Sequence, residues 1–305
     1  MSDFQKDLLA KVDEIEKIIK EYLPKEDGFQ KTVIEAMNYS ILSGGKRLRP
    51  MLMWETYKML GGTGDVIKPF MAAIEMIHTY SLIHDDLPCM DNDEYRRGRK
   101  TTHVVYGEAM AVLAGDALLN FAFETATKAF GLVDERDSVM LSRVAKAIRI
   151  LGMKAGIYGM VGGQCVDVEA EKEELDISGD MLMYIHKNKT AALIEASMMI
   201  GGLLAGADGA SVKCLEKCAE NVGIAFQIQD DILDVIGTLE ELGKPIGSDA
   251  KNNKKTYVTI FGMDRAERDV TALSEEAISN IESVDKNNKG EFLKKLIISL
   301  IHRTR

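Results

Sequence analysis

Residues 209–237, GASVKCLEKCAENVGIAFQIQDDILDVIG, decide the fold class. The stretch holds no proline and is apolar on most faces, yet it carries Asp230, Asp231 and Asp234 among Ile, Leu and Phe. A helix that is apolar nearly all round belongs in the centre of a bundle rather than on its surface. Working outward, no proline occurs between Pro88 and Pro245, and the good helix formers Met, Leu, Ala, Ile, Glu and Lys are abundant there. The chain's 17 methionines suit helix packing better than pleated sheet. Leu8, Val12, Ile15, Ile18, Ile19 and Tyr22 follow a three-four step, and Leu182, Ile185, Leu193 and Ile194 follow it less strictly. Strand-like alternation bounded by turn signals is missing. The pattern predicts helices over 3–23, 28–43, 47–60, 66–90, 104–130, 137–168, 178–205, 209–237, 264–283 and 289–302. Gly61-Gly62, Gly131, Gly206 to Gly209 and Asn287 to Gly290 mark the breaks. No linker, low-complexity segment or fixed-period repeat divides the chain, so one all-α domain over 1–305 is expected.

Composition narrows the function. The chain has 305 residues, 46% of them hydrophobic, enough to bury a sizeable core. Lys plus Arg total 38 against 48 for Asp plus Glu, a formal net charge of −10. That balance argues against nucleic-acid and anionic-membrane partners, both of which need a positive field. An anionic ligand must then be held by a local basic cluster or by bridging metal ions. Four cysteines without paired metal spacing point to a reducing compartment, with Cys214 and Cys218 read as small buried hydrophobes. No uncharged apolar run reaches 18 residues, and the N-terminal MSDFQKDLLAKVDEIEK is acidic and amphipathic. It reads as neither signal peptide nor membrane span, so a cytoplasmic protein without stable membrane insertion is expected.

The chemistry is carried by two clusters of aspartate. Ile83-His84-Asp85-Asp86-Leu87-Pro88-Cys89-Met90-Asp91-Asn92-Asp93-Glu94 ends one apolar helix, and Gln229-Asp230-Asp231-Ile232-Leu233-Asp234 lies inside another. Asp230 and Asp234 share a helix face, while Asp85 and Asp91 do not align on an ideal helix. Pro88 should break the helix there and let the chain double back. Unpaired carboxylates on a buried face repel one another and cost several kcal/mol each unless cations compensate. Hard oxygen ligands that leave room for water and a phosphate suit Mg²⁺.

Basic groups follow in matching places: Gly44-Gly45-Lys46-Arg47-Leu48-Arg49-Pro50, then Arg96, Arg97, Arg99 and Lys100, then Lys187 and Lys189, then Lys244, Lys251, Lys254 and Lys255. Any one of these alone is ordinarily a solvated face. Together with two metal-type carboxylate sites they describe two polyanion pockets, one bridged by Mg²⁺ and one held directly by Lys and Arg.

These motifs, DDLPCMD, DDILD, GGKRLRP, RRG, KNKT and GKPIGSDAKNNKKTY, resemble those of the trans-polyprenyl diphosphate synthases, and within them the bacterial farnesyl diphosphate (geranyltranstransferase) branch. The resemblance runs in order from about residue 30 to 262. It implies an all-α isoprenoid-synthase bundle around a central cavity, normally a homodimer. The implied reaction condenses isopentenyl diphosphate head-to-tail with dimethylallyl or geranyl diphosphate, giving farnesyl diphosphate and diphosphate. The same chemistry with a longer, geranylgeranyl product is the alternative. Carried over by motif, Asp85, Asp86, Asp91 and Asp230 would hold three Mg²⁺ on the allylic diphosphate, and Asp231 and Asp234 would support that metal through water. Arg96, Lys189, Lys244 and Lys254 would bind the same diphosphate, and Thr190 and Gln227 would face the developing allylic cation. Lys46, Arg49, His78 and Arg97 would bind isopentenyl diphosphate.

A histidine on an apolar helix is ordinarily a packed core group, and only its place in the pattern makes His78 a ligand. His84, Asp116, Gln164 and Asp167 match positions behind the ligands, with purely structural roles left open. The role of the basic end, Arg303-Thr304-Arg305, is also open. Tyr80, five positions before the first motif, is typical of enzymes that stop at fifteen carbons. On an ideal helix, however, Ser81 lies nearly under Asp85 and Tyr80 is rotated away.

Two rival readings explain less. An HD-type metal phosphohydrolase could use His78, His84, Asp85 and Asp91, but it leaves the second cluster and every basic motif unexplained. A non-catalytic regulatory subunit would have lost aspartates from one motif, and here both are intact.

Overall fold

The computed structural model describes residues 2–172, 177–236 and 255–301. It is helical almost throughout, with helices α1 (Asp3–Tyr22), α2 (Lys31–Ile41), α3 (Leu48–Met59), α4 (Lys68–Asp85), α5 (Thr102–Tyr106), α6 (Glu108–Thr127), α7 (Ser138–Ala155) and α8 (Met160–Lys172). There follow α9 (Gly179–Ile185), a π-helical segment (His186–Ala191), α10 (Ala192–Ala205), α11 (Gly209–Ile236), α12 (Tyr257–Phe261), α13 (Met263–Val284) and α14 (Glu291–Ile301). The helices gather into two compact units, Met1–Trp54 with Thr63–Arg149, and Glu55–Gly62 with Ile150–Arg305.

In the first unit α4 is the core element. Phe70, Met71, Ala72, Ala73, Ile74, Met76 and Ile77 are fully buried, so the helix is apolar on every face, and α6 and α1 pack along it. α1 starts on a capping box, in which Ser2 Oγ accepts from the Gln5 N–H and the Gln5 side chain accepts from the Ser2 N–H. Two of the four orphan donors at that helix end are thereby satisfied. In the second unit α11 takes the central place, packed against α13, α10 and α14. Ala219, Val222, Ala225 and Ile228 are buried along it.

Helix 104–130 is parted at Gly107, φ 84°, and helix 178–205 is interrupted by the π-helical segment; three further details depart from the sequence reading. Helix 66–90 stops at Asp85, because Pro88 cannot continue it. Helix 137–168 is two helices: Gly156 and Gly159 bracket a turn, each costing a helix about 1 kcal/mol relative to alanine. Finally, Tyr95–Arg96 and Arg99–Lys100 pair as a two-residue antiparallel hairpin. Its corner residues, Arg97 at φ 53° and Gly98 at φ 74°, both take the left-handed conformation of a tight I′-type turn.

Candidate active site

In the first unit the end of α4 folds back on itself. The Asp91 N–H donates to the Asp85 carbonyl at 2.9 Å, and the Met90 and Asn92 N–H groups both donate to the Leu87 carbonyl. Two aspartates six positions apart in sequence are thus joined through their backbones, with Asp85 half-buried and Asp91 exposed. Asp86 is different. It is buried, and its Oδ1 accepts from Arg96 Nε at 2.7 Å and lies 2.5 Å from Nη2. Burial pushes the Asp86 carboxyl up from the ordinary range, and the Arg96 guanidinium offsets only part of that shift. The hairpin 95–100 therefore turns Arg96 onto the aspartates and leaves Arg97 at its corner.

Arg97 lies over the glycine turn before α3 and donates to the Gly44 carbonyl. Gly45 holds a φ of 137° that favours glycine, and a Cβ there would stand 2.7 Å from Arg97 Nη1, so a side chain would also displace that guanidinium. Lys46 is exposed on the same turn. Arg49 follows in the first turn of α3, its Nε buried without a hydrogen-bond partner among the described residues. Burial lowers its pKa to about 10. His78 on α4 is held well below its ordinary pKa by burial and by Arg49, Arg97, Arg96 and Arg47, so it stays neutral at physiological pH. Arg47 and Arg96 are already paired with carboxylates, so Arg49, with a buried N–H left over, and Arg97 are the cations beside this imidazole that suit an anion.

Tyr80 is buried, and its ring meets the His84 ring edge-on at 5.8 Å between centroids. Burial and the Asp85 charge push its phenol up to about 12. Ser81 donates to the His78 carbonyl at 2.9 Å. His84 Nε2 lies 3.2 Å from the Val112 carbonyl of α6 and 3.9 Å from Asp116, which is itself exposed. His84 thus braces α4 against α6. An HD-type hydrolase would need these histidines on a shared metal. Here His78 stands among arginines and His84 against α6, an arrangement that does not serve that chemistry.

In the second unit the residues of the KNKT motif form the π-helical segment, a widened turn that recurs at functional sites. Lys189 makes an ion pair with Asp167 of α8, and Thr190 Oγ1 donates to Gln227 Oε1 at 3.1 Å. Gly163 of α8 explains how the segment is held: a Cβ there would stand 2.1 Å from the Lys189 backbone nitrogen. Gly223 of α11 is equally tight against Ala191. On α11, Asp230 and Gln227 are half-buried, and Asp231 and Asp234 are buried. Asp231 Oδ2 accepts from the Tyr257 N–H at 2.7 Å, so one of its oxygens fastens the start of α12. Lys244, Lys254 and Arg303 to Arg305 lie outside the described residues.

Sequence reasoning passes over Gly163, Tyr257 and the hairpin. The Arg97-Gly98 pair is the available signal for the hairpin, since glycine there permits the left-handed turn. The donor set on each side is hard oxygen with basic groups nearby. Mg²⁺ keeps several waters and needs only one or two carboxylates plus substrate phosphates, so Asp85 and Asp91 fit it in kind, while no three His, Cys, Asp or Glu side chains converge on a metal position among the described residues.

The family model described as polyprenyl synthetase matches residues 30–296. The chain belongs to the polyprenyl synthetase family. Within that family it is 44% identical to the farnesyl diphosphate synthase of Geobacillus stearothermophilus over 273 residues, 89% of each chain. It is 41% identical to the geranylgeranyl diphosphate synthase of Cyanophora paradoxa over 276 residues, 90% of each. The solved geranyltransferase of Helicobacter pylori, complexed with magnesium and isoprenyl diphosphate, superposes with a TM-score of 0.80 at 31% identity. That superposition covers 99% of this chain and 97% of the other. The all-α fold expected from residues 209–237 is the fold of this polyprenyl synthetase relative.

Proposed function

We propose that the protein is a Mg²⁺-dependent prenyltransferase that condenses isopentenyl diphosphate with dimethylallyl or geranyl diphosphate, giving farnesyl diphosphate and diphosphate. The observation that carries this reading is the similarity to a farnesyl diphosphate synthase over 89% of the chain, with both aspartate clusters intact. Asp85, Asp86, Asp91 and Asp230 would hold about three Mg²⁺ on the allylic diphosphate, with Asp231 and Asp234 supporting them. The metal supplies positive charge where the leaving diphosphate gathers negative charge. Arg96, Lys189, Lys244 and Lys254 add charge on the same group, and Thr190 and Gln227 present oxygen dipoles to the allylic carbon. Lys46, Arg49, His78 and Arg97 hold the diphosphate of the second substrate directly. The arginine crowd and the neutral imidazole support that division, since this pocket needs no metal to be electropositive.

A longer product is the second reading, favoured by the geranylgeranyl relative at 41% identity. Tyr80, buried five residues before Asp85 on α4, supports the shorter one as a floor under the growing tail. The protein would act as a homodimer: Val104, Val105, Val112 and Leu113 are exposed apolar residues of α5 and α6, suited to covering by a second copy. The four free thiols suit a reducing cytoplasm. Residues Glu108–Leu132 are long and apolar enough to cross a membrane, yet they pack along α4 and carry Glu108, Asp116 and Glu124. Incubation with isopentenyl and dimethylallyl diphosphates and Mg²⁺, with products separated by chromatography, tests the reading. A fifteen-carbon product is expected, and release of inorganic phosphate without chain growth would overturn it.

A further inference from the structure

Arg47 stands between Lys46 and Arg49 in the basic turn, and no substrate role falls to it. Its side chain is fully buried. Nε donates to Glu16 Oε1 of α1 at 2.6 Å, Nη1 to Glu75 Oε1 of α4 at 2.7 Å, and Nη2 to the Ile41 carbonyl of α2 at 2.6 Å. Three helices therefore meet on one guanidinium, whose planar fork suits several acceptors at once. The residue also holds a left-handed backbone, φ 46°, which is uncommon for a bulky side chain and persists only where the surroundings over-determine it. Its carbonyl accepts from the Met51 N–H at 3.1 Å and so begins α3, whose first turn carries Arg49. Glu75 is buried three residues before His78, on the same face of α4, and its charge is felt by both Arg49 and Arg97. Glu16 occupies the inner side of α1, beside the buried Ile15 and Ile19.

We infer that Arg47, with Glu16 and Glu75, is a positioning residue for the metal-free diphosphate pocket, so that the N-terminal helix α1 takes part in isopentenyl diphosphate recognition without touching it. This rests on the reading of Lys46, Arg49, His78 and Arg97 as that pocket. The pinned turn sets the direction in which Lys46 and Arg49 leave the chain.

The electrostatic alternative predicts the opposite sign. Glu16 is negative, so if only its field mattered, removing it would tighten the binding of an anion. If Arg47 must be held in place, removing the acceptor loosens binding.

The test is calorimetry with inorganic diphosphate in the presence of a chelator, which silences any metal-bridged site, together with steady-state kinetics and melting curves. Glu16→Ala and Arg47→Lys should each bind diphosphate roughly tenfold more weakly, the scale of one lost charge-assisted bond. KM for isopentenyl diphosphate should rise about as much, with kcat and the allylic KM within about twofold. Glu16→Gln, which keeps the acceptor, should restore both values. Unchanged or tighter binding in Glu16→Ala overturns the inference. So does a parallel rise in both KM values with a lowered melting temperature. Glu16 is partly exposed, so its variants serve even if Arg47→Lys fails to fold. If the wild type grows no prenyl chain but the diphosphate affinities change as stated, the proposed reaction fails and the positioning role stands.

Discussion

Asp85 and Asp230 are both half-buried aspartates on central helices of their units, where carboxylate charge is costly unless cations compensate. Their position is intelligible when cations meet them. Asp85→Ala and Asp230→Ala should each lower turnover by orders of magnitude while leaving the circular dichroism spectrum unchanged, since transition-state charge loses its counter-ions. Turnover near wild type at saturating Mg²⁺ would remove that residue from the mechanism. His78 makes a different prediction. Its folded pKa is far below the unfolded value of about 6.5, so between the two the unfolded chain binds a proton that the folded chain refuses. Stability is therefore full above pH ~6.5 and falls as the pH drops through that value. The melting temperature of the wild type should fall more steeply between pH 7.5 and 5.5 than that of His78→Asn. Equal slopes would assign the acid sensitivity to other groups.

Among the elements, the π-helical segment shows what a sequence can and cannot reveal. Its Lys189 and Thr190 are legible as a basic motif, but the widened turn depends on a glycine twenty-six positions away in α8. Gly163→Ala would drive a methyl group into backbone that has little room to retreat. A loss of about 1–3 kcal/mol is expected, seen as a melting temperature several degrees lower, together with a fall in kcat as Lys189 and Thr190 shift. An unchanged kcat would separate that packing from the chemistry. α4, apolar on every face, and α11, apolar on most of its faces, are readable because such helices have few alternatives to burial. The return of the chain at Pro88 was legible as a break but not as a shape, because proline stops a helix without saying where the next residues go. The Asp91-to-Asp85 hydrogen bond supplies that shape. On α4, Tyr80→Ala should shift products toward twenty carbons or more. Another isoprene unit buries four or five carbons, worth roughly 3–4 kcal/mol, so only a physical floor halts growth. An active variant that still releases only the fifteen-carbon product would place the floor elsewhere.

For the whole molecule, a formal charge of −10 coexists with arginines crowded about His78. Net charge thus excluded a general polyanion binder while saying nothing of a local one, and only the motif order exposed it. The exposed Val112 and Leu113 of α6 were likewise invisible as a surface, since in sequence they read as one more apolar turn of a core helix. Leu113→Arg should shift a two-chain species to a single chain in light scattering after size exclusion, with activity falling in parallel. A wild type that already runs as one chain at micromolar concentration would end the homodimer proposal.

The crowding of Arg49, Arg96 and Arg97 around a neutral ring also bears on the lifetime of the protein. Burial and the Arg97 charge both disfavour the charged form of Arg49, a load that the fold carries and an arriving anion would relieve. Anything that binds only the folded chain prolongs it by mass action. Cells rich in the five-carbon building block should accordingly retain more of this protein than starved ones, and proteases would cull the idle copies first.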